Sequence, residues 1–297
     1  MNLTLALFLL CTFSIFVCAA AHSGTMTVVT ALYDIHRTDR SFSSYLSWFP
    51  GTLNMLSKYP MIVFCKDRVV GDMVWNARSK LPSNMTAVVL ENQYPLYPLL
   101  PSFMPLFAAH ESHRVDSEWH PEYENHEYIL VQFSKFVWMQ KAVSQNYLPP
   151  TSHYMWVDAG ISRFMTWEQW FFSLKPVTFP HVYQNHSGDH LSPVVCIQTV
   201  YIHMEDVPSS SAFLEAFGKR SNLFKGGMFG GTRGAIEWLS VKVLDILHKD
   251  MMGKYILDNE QAAMALLYAR QPNRFRILFP SDFGASDFDY GCNFICL

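Results

Sequence analysis

Five short runs of this chain carry no charge: MTVVTAL at Met26–Leu32, MIVFC at Met61–Cys65, AVVL at Ala87–Leu90, YMWV at Tyr154–Val157 and PVVCIQTVY at Pro193–Tyr201. They are too short for buried helices and rich in β-branched and aromatic residues, so they read as strands with both faces covered. Helical segments alternate with them, which argues for a mostly parallel central sheet with helices on both faces. The fourth run is the most informative, because it follows a helix carrying Lys135 and a Pro149-Pro150 turn, and its first carboxylate is Asp158. In open α/β sheets ligands bind at that C-terminal edge.

The periodic segments fill in the rest. Tyr45, Leu46, Phe49, Leu53 and Leu56 recur at helical spacing between Phe42 and Ser57, with Pro50 as a kink or break. Ile236, Leu239, Val243, Ile246 and Leu247 mark a second helix, Ala235 to His248. A third opens at Asp258-Asn259-Glu260-Gln261, with Asp258 or Asn259 as its cap, and runs to Arg270; Arg276 to Phe279 reads as the last strand. Between Ala108 and Glu127 the chain is polar and aperiodic, which predicts a solvated loop. His110-Glu111-Ser112-His113 lacks one residue of the spacing that brings two imidazoles onto one helix face, so a zinc enzyme built on His110, His113, His120 or His126 is the lesser reading. With 297 residues, half of them apolar, the chain can bury one large core, and a single domain over residues 22–297 is expected. A net charge of −3 and a pI near 6.4 give no footprint for nucleic acid.

Residues 1–21 read as a secretory signal: an apolar run from Leu3 to Val17, then Cys18-Ala19-Ala20-Ala21 as a cleavage site. No Lys or Arg precedes Arg37, and a signal anchor is the alternative. If the signal is cleaved, no stable membrane span follows, and the protein is secreted or lumenal. Asn84-Met85-Thr86 and Asn185-His186-Ser187 are N-glycosylation sequons that fit this route. Cys65, Cys196, Cys292 and Cys296 then allow two disulfides, or free buried thiols at Cys65 and Cys196.

Three features fall in order along the chain: Lys135, Asp158, and a Gly-rich turn at Gly226–Gly231 followed by Asp258–Gln261. A sugar-nucleotide needs such parts. Its diphosphate requires a cation or metal, a strand-edge carboxylate can hold the metal or ribose hydroxyls, and glycines let the backbone approach a sugar. A second carboxylate, Asp258 or Glu260, can serve the acceptor hydroxyl or the anomeric carbon. Each part also has a structural reading: a solvated lysine, a turn cap, a bulge, a helix cap.

Phe133-Ser134-Lys135, Trp156-Val157-Asp158-Ala159-Gly160, the Gly-Met-Phe-Gly segment and Asp-x-Glu-Gln resemble the layout of glycogenin-like glycosyltransferases of the GT-A fold. More closely, TVVTALYDIHR, YMWVDAGISRF and GGMFGGTRGAI resemble the HtrL/YibB family, which is placed with them. The resemblance implies a GT-A-like (Rossmann-like) fold and transfer of a sugar from a nucleotide-sugar donor to a glycan or protein hydroxyl acceptor in the secretory pathway. By it Thr30, Tyr33, Asp34 and Arg37 face the nucleotide, Lys135, Asp158 and Gly160 the donor, and Gly227, Phe229, Gly230 and Gln261 the sugar or acceptor. Asp258 and Glu260 take the catalytic positions. It also implies Mn2+ or Mg2+ on Asp158, yet the second carboxylate of a DxD motif is here Gly160; Asp282, Asp287 or Asp289 would have to replace it. The alternative is an inactive carbohydrate-binding or interaction protein on the same scaffold.

Overall fold

The computed structural model describes residues 26–37, 39–111, 125–164, 195–199 and 224–278, with isolated positions at 209, 211 and 214. Residues 1–21, expected as a leader, the Asn185 sequon, His113, His120, the carboxylates after residue 281 and the Cys292–Cys296 pair lie outside the described residues, as do the side chains of His110 and Cys196.

Strand β1 (Met26–Leu32) is followed by helix α1 (Phe42–Met55), β2 (Met61–Cys65), α2 (Arg68–Arg78) and β3 (Thr86–Leu90). Helices α3 (Leu100–Glu111) and α4 (His126–Ser144) lead to β4 (His153–Val157). Then come β5 (Val195–Thr199), β6 (Phe224–Thr232), α5 (Arg233–Asp245), α6 (Glu260–Arg270) and β7 (Phe275–Leu278). All seven strands form one sheet in the order β3-β2-β1-β4-β6-β5-β7. Every pairing is parallel except the two made by β6, which runs antiparallel between β4 and β5. The protein is thus an α/β domain with a mostly parallel sheet.

Period-two alternation sends side chains to two separate cores. Val28, Val63, Cys65, Met155 and Val157 pack under α1 and α2 with Phe49, Leu53, Val70 and Val74. Val29, Phe64, Trp156 and Phe229 face Phe133, Phe136, Trp138, Leu239 and Leu266 from α4, α5 and α6. On this second face aromatic rings stack in series: Trp138 on Trp156 at 5.9 Å, Trp156 on Phe229 at 6.4 Å and Phe229 on Phe136 at 5.0 Å.

Two readings of the sequence change, and the alternatives left open at Pro50 and Cys65 are resolved. Gly226–Gly231, expected as a turn, is the interior of β6, because Gly230 lies against the β4 backbone: a Cβ there would sit 2.6 Å from the Tyr154 carbonyl oxygen. The polar stretch from Ala108 is not all loop, since α3 extends through Glu111 and α4 begins at His126. Pro50 and Pro105 lie within helices rather than ending them. Cys65 is a free, buried thiol, and burial pushes its pKa up to about 11.

Candidate functional site

The strand order fixes where a site can form. From β1 the chain steps outward to β2 and β3, then crosses back to lay β4 on the other side of β1. The loops leaving the C-terminal ends of β1 and β4 therefore diverge, which opens a crevice between them. Residues 33–37 and 39 leave β1 at this rim and Asp158 leaves β4 there. Antiparallel β6 brings its N-terminal end to the same place, and the Asp158 N–H donates to the Gly227 carbonyl at 2.9 Å.

Helix α4 supplies the cation. Asn125 caps it, accepting from the Tyr128 N–H at 3.1 Å, while its own amide donates to the Ile35 carbonyl at 2.8 Å and so ties the helix start to the β1 loop. One face of α4 is buried, and Lys135 lies within it, 7% exposed. Its ammonium donates to Glu260 Oε1 at 2.9 Å and to the Gly226 carbonyl at 3.0 Å, with Asp158 Oδ1 at 3.2 Å. Three acceptors surround a group with three N–H bonds. Burial alone would lower the Lys135 pKa, but Asp158 and Glu260 outweigh it and hold the ammonium above the ordinary lysine value.

The two carboxylates differ in access. Glu260 is fully buried in the first turn of α6, where the helix dipole favours negative charge. Gly226 makes room for it, since a Cβ there would lie 2.0 Å from Glu260 Oε1. Asp158 keeps 39% of its side chain exposed. Its Oδ1 accepts from the Trp156 indole at 2.7 Å, and its Oδ2 faces Gly227, 3.6 Å from where a Cβ would stand. Asp158 is therefore fixed by two donors on one oxygen and open along the other.

On the β1 side, Arg37 is held rather than free. Its guanidinium grips Asp39 with Nε–Oδ1 at 2.7 Å and Nη2–Oδ2 at 2.5 Å, donates to the Tyr45 hydroxyl at 3.2 Å and lies 3.9 Å over the Tyr128 ring. Burial would lower its pKa, but Tyr128, Asp39 and Tyr45 raise it above the usual arginine value. Arg40 also approaches Asp39, at 3.4 Å. Asp34 accepts from the His36 N–H at 2.9 Å, and His36, largely exposed, has a φ of 53°. Such a backbone is uncommon outside glycine.

Lys135, Asp158 and Glu260 thus meet, with Gly226, Gly227 and half-exposed Gln261 beside them. Other expected site residues do not face the crevice. Asp258 is 2% exposed and its carboxylate accepts from the Asn259 N–H; Asn259, not Asp258, caps α6. Thr30 is fully buried, Phe229 is enclosed in the aromatic series, and Gly230 is pressed on β4. Tyr33 stacks on Trp138 at 5.2 Å with its hydroxyl toward the Glu91 carbonyl, at the edge of the crevice. The sequence reading passed over Trp156, although the indole and Asp158 stand two apart, the spacing of one strand face. Asp39, Tyr45 and Tyr128 carried no local signal.

The described residues alone do not make a site for the divalent ion that the resemblance implies, and Asp282, Asp287 and Asp289 lie outside them. Asp158 Oδ1 is engaged by Lys135 and Trp156. A Cβ at Gly160 would lie 3.2 Å from the Tyr45 ring, whose hydroxyl accepts from Arg37, so a larger side chain there needs that ring to shift by a few tenths of an ångström. Among the described residues no three His, Cys, Asp or Glu side chains gather to ligate a metal. No described helix is long and apolar enough to cross a membrane, and Asn84 is exposed, on a short 3-10 turn.

Residues 24–289 match the family model described as "Bacterial protein of unknown function (HtrL_YibB)". No curated protein matches the chain.

Proposed function

The chain belongs to the HtrL_YibB family, and from its crevice we propose that it transfers a sugar from a nucleotide-sugar donor to a hydroxyl acceptor. The observation that carries this is Asp158: a rigid, half-exposed carboxylate at the switch point of an α/β sheet, with a glycine opposite its open oxygen. A fixed carboxylate accepts strongly from sugar or ribose hydroxyls, because no reorganisation is needed when they arrive. Gly227 leaves backbone where a side chain would block a pyranose, and Gln261 offers an amide alongside.

Charge separates along the crevice. Around Asp39 two guanidinium groups meet one carboxylate, whereas around Lys135 one ammonium meets two carboxylates. A donor therefore lies with its diphosphate toward the β1 loop and its sugar toward Asp158. The bond from the anomeric carbon to the diphosphate breaks there as the acceptor oxygen bonds to that carbon, and the acceptor's proton passes to the departing nucleoside diphosphate. The leader at 1–21 and the exposed Asn84 support a lumenal or exported setting.

Thermal melting against a panel of nucleotide-sugars tests the reading, since a ligand that binds only the native state raises the midpoint. At least one member should stabilise the wild type, and Asp158→Asn should weaken its binding by roughly tenfold to a hundredfold, the worth of a hydrogen bond to a charged group. A panel without effect on the wild type removes the reading. Binding without turnover is the second reading, favoured by one observation: Glu260 and Asp258 are both turned into the protein. Release of nucleoside diphosphate on adding acceptor separates the two.

A further inference from the structure

We infer that this site takes its donor without a divalent cation, because a lysine already occupies the cation position. The inference rests on the nucleotide-sugar reading and concerns how the same site is charged. A Mn2+ or Mg2+ ion needs several oxygen ligands at about 2.0 to 2.2 Å, and where it serves a phosphate ligand one or two carboxylates hold it together with the phosphates and water, so the state of Asp158 decides whether it binds here. Asp158 offers one free oxygen, because the other is taken at 3.2 Å by Lys135 and at 2.7 Å by Trp156. A metal on that carboxylate would stand a few ångströms from a buried ammonium, with like charges weakly screened.

Among the described residues, the partners a metal would recruit are committed elsewhere. Glu260 is fully buried and its Oε1 accepts from the Lys135 ammonium at 2.9 Å. Position 160 is a glycine with no oxygen to offer a metal, and the Tyr45 ring stands 3.2 Å from where its Cβ would be. Lys135 neutralises Asp158, as a metal would, from a helix whose register is set by the core. It is saturated by Glu260, Gly226 and Asp158, so it acts on the ligand through Asp158 and is a positioning residue.

The test has a metal arm and a ligand arm on the full chain. Manganese alone, followed by the paramagnetic resonance of free Mn2+, should show no binding to the wild type. The stabilising nucleotide-sugar should bind in EDTA with a Kd within about twofold of that in manganese. Binding seen only with manganese overturns the inference and leaves the nucleotide-sugar reading standing; binding in neither buffer removes both. Lys135→Met leaves Asp158 and Glu260 facing a vacated cation position, so this variant should acquire manganese binding that the wild type lacks, an effect that loss of packing would not produce. A folded Lys135→Met chain that still ignores manganese overturns the role given to the ammonium. If that variant does not fold, the two wild-type arms decide.

Discussion

Gly226 and Gly227 are neighbours in β6 with opposite tolerances. A methyl group at 226 would lie 2.0 Å from Glu260 Oε1 and 3.2 Å from Gln261 Cγ, whereas one at 227 meets nothing closer than 3.6 Å, at Asp158 Oδ2 and Ile161. Gly226→Ala must push Glu260 off Lys135, and opening a buried ion pair costs about 3 kcal/mol or more. Gly227→Ala keeps the fold, changing stability by less than about 1 kcal/mol, but places a methyl group where the ligand approaches Asp158. Chemical denaturation of both variants, with ligand titration of the second, checks the pair. A stable Gly226→Ala would mean that Glu260 has another way to reach its partner. At this scale the sequence was informative where chemistry is spelled in order: of Lys135, Asp158, Asp258 and Glu260, the first two meet Glu260, while Asp258 turns to the Asn259 N–H. Arg37 was not legible. Its orientation depends on Asp39, Tyr45 and Tyr128, and nothing in the local pattern states that a guanidinium will be gripped rather than offered.

Helix α5 follows β6 directly, with Thr232 as its cap accepting from the Ala235 N–H at 3.3 Å. Gly234 stands in its first turn, and a Cβ there would have nothing within 4 Å. Gly234→Ala should therefore stabilise the protein by about 0.4 to 1 kcal/mol, through reduced backbone freedom in the unfolded chain. A melting midpoint unchanged or lowered would contradict this. The helices and strands with clean periodicity were read within a few residues of their ends. Two kinds of element escaped. Helix α3, LPSFMPLFAAHE, was not singled out; Pro101 lies in its first turn, where no N–H is missed, and Pro105 is accommodated inside it. Strand β6 is so rich in glycine that local preference argued for a turn, whereas a close backbone approach to β4 demands the glycine at 230 and the buried Glu260 carboxylate the one at 226.

Across the molecule, the alternation of strands and helices announced a parallel sheet, but the antiparallel insertion of β6 between β4 and β5 was not legible, because strand order depends on long-range pairing. The sheet also sets an acid response. His153, at the N-terminal end of β4, has its pKa lowered by burial. The folded chain therefore binds fewer protons than the unfolded one below about pH 6.5, and stability falls as pH drops through that region. Asp39 and Asp250, whose pKa values their arginine and lysine partners lower despite burial, add a further loss only as pH falls below about 4. His153→Gln should flatten the melting curve's pH dependence between about pH 7 and 5; an unchanged slope would assign it to another group. The Lys135–Glu260 bond joins positions 125 residues apart. During synthesis the lysine leaves the ribosome long before the glutamate, so a partial chain carries an ammonium that the core cannot accept. Completion of the polypeptide is thus the event that assembles the crevice, and a product truncated before α6 should be recognised by quality control rather than persist as a weakened form.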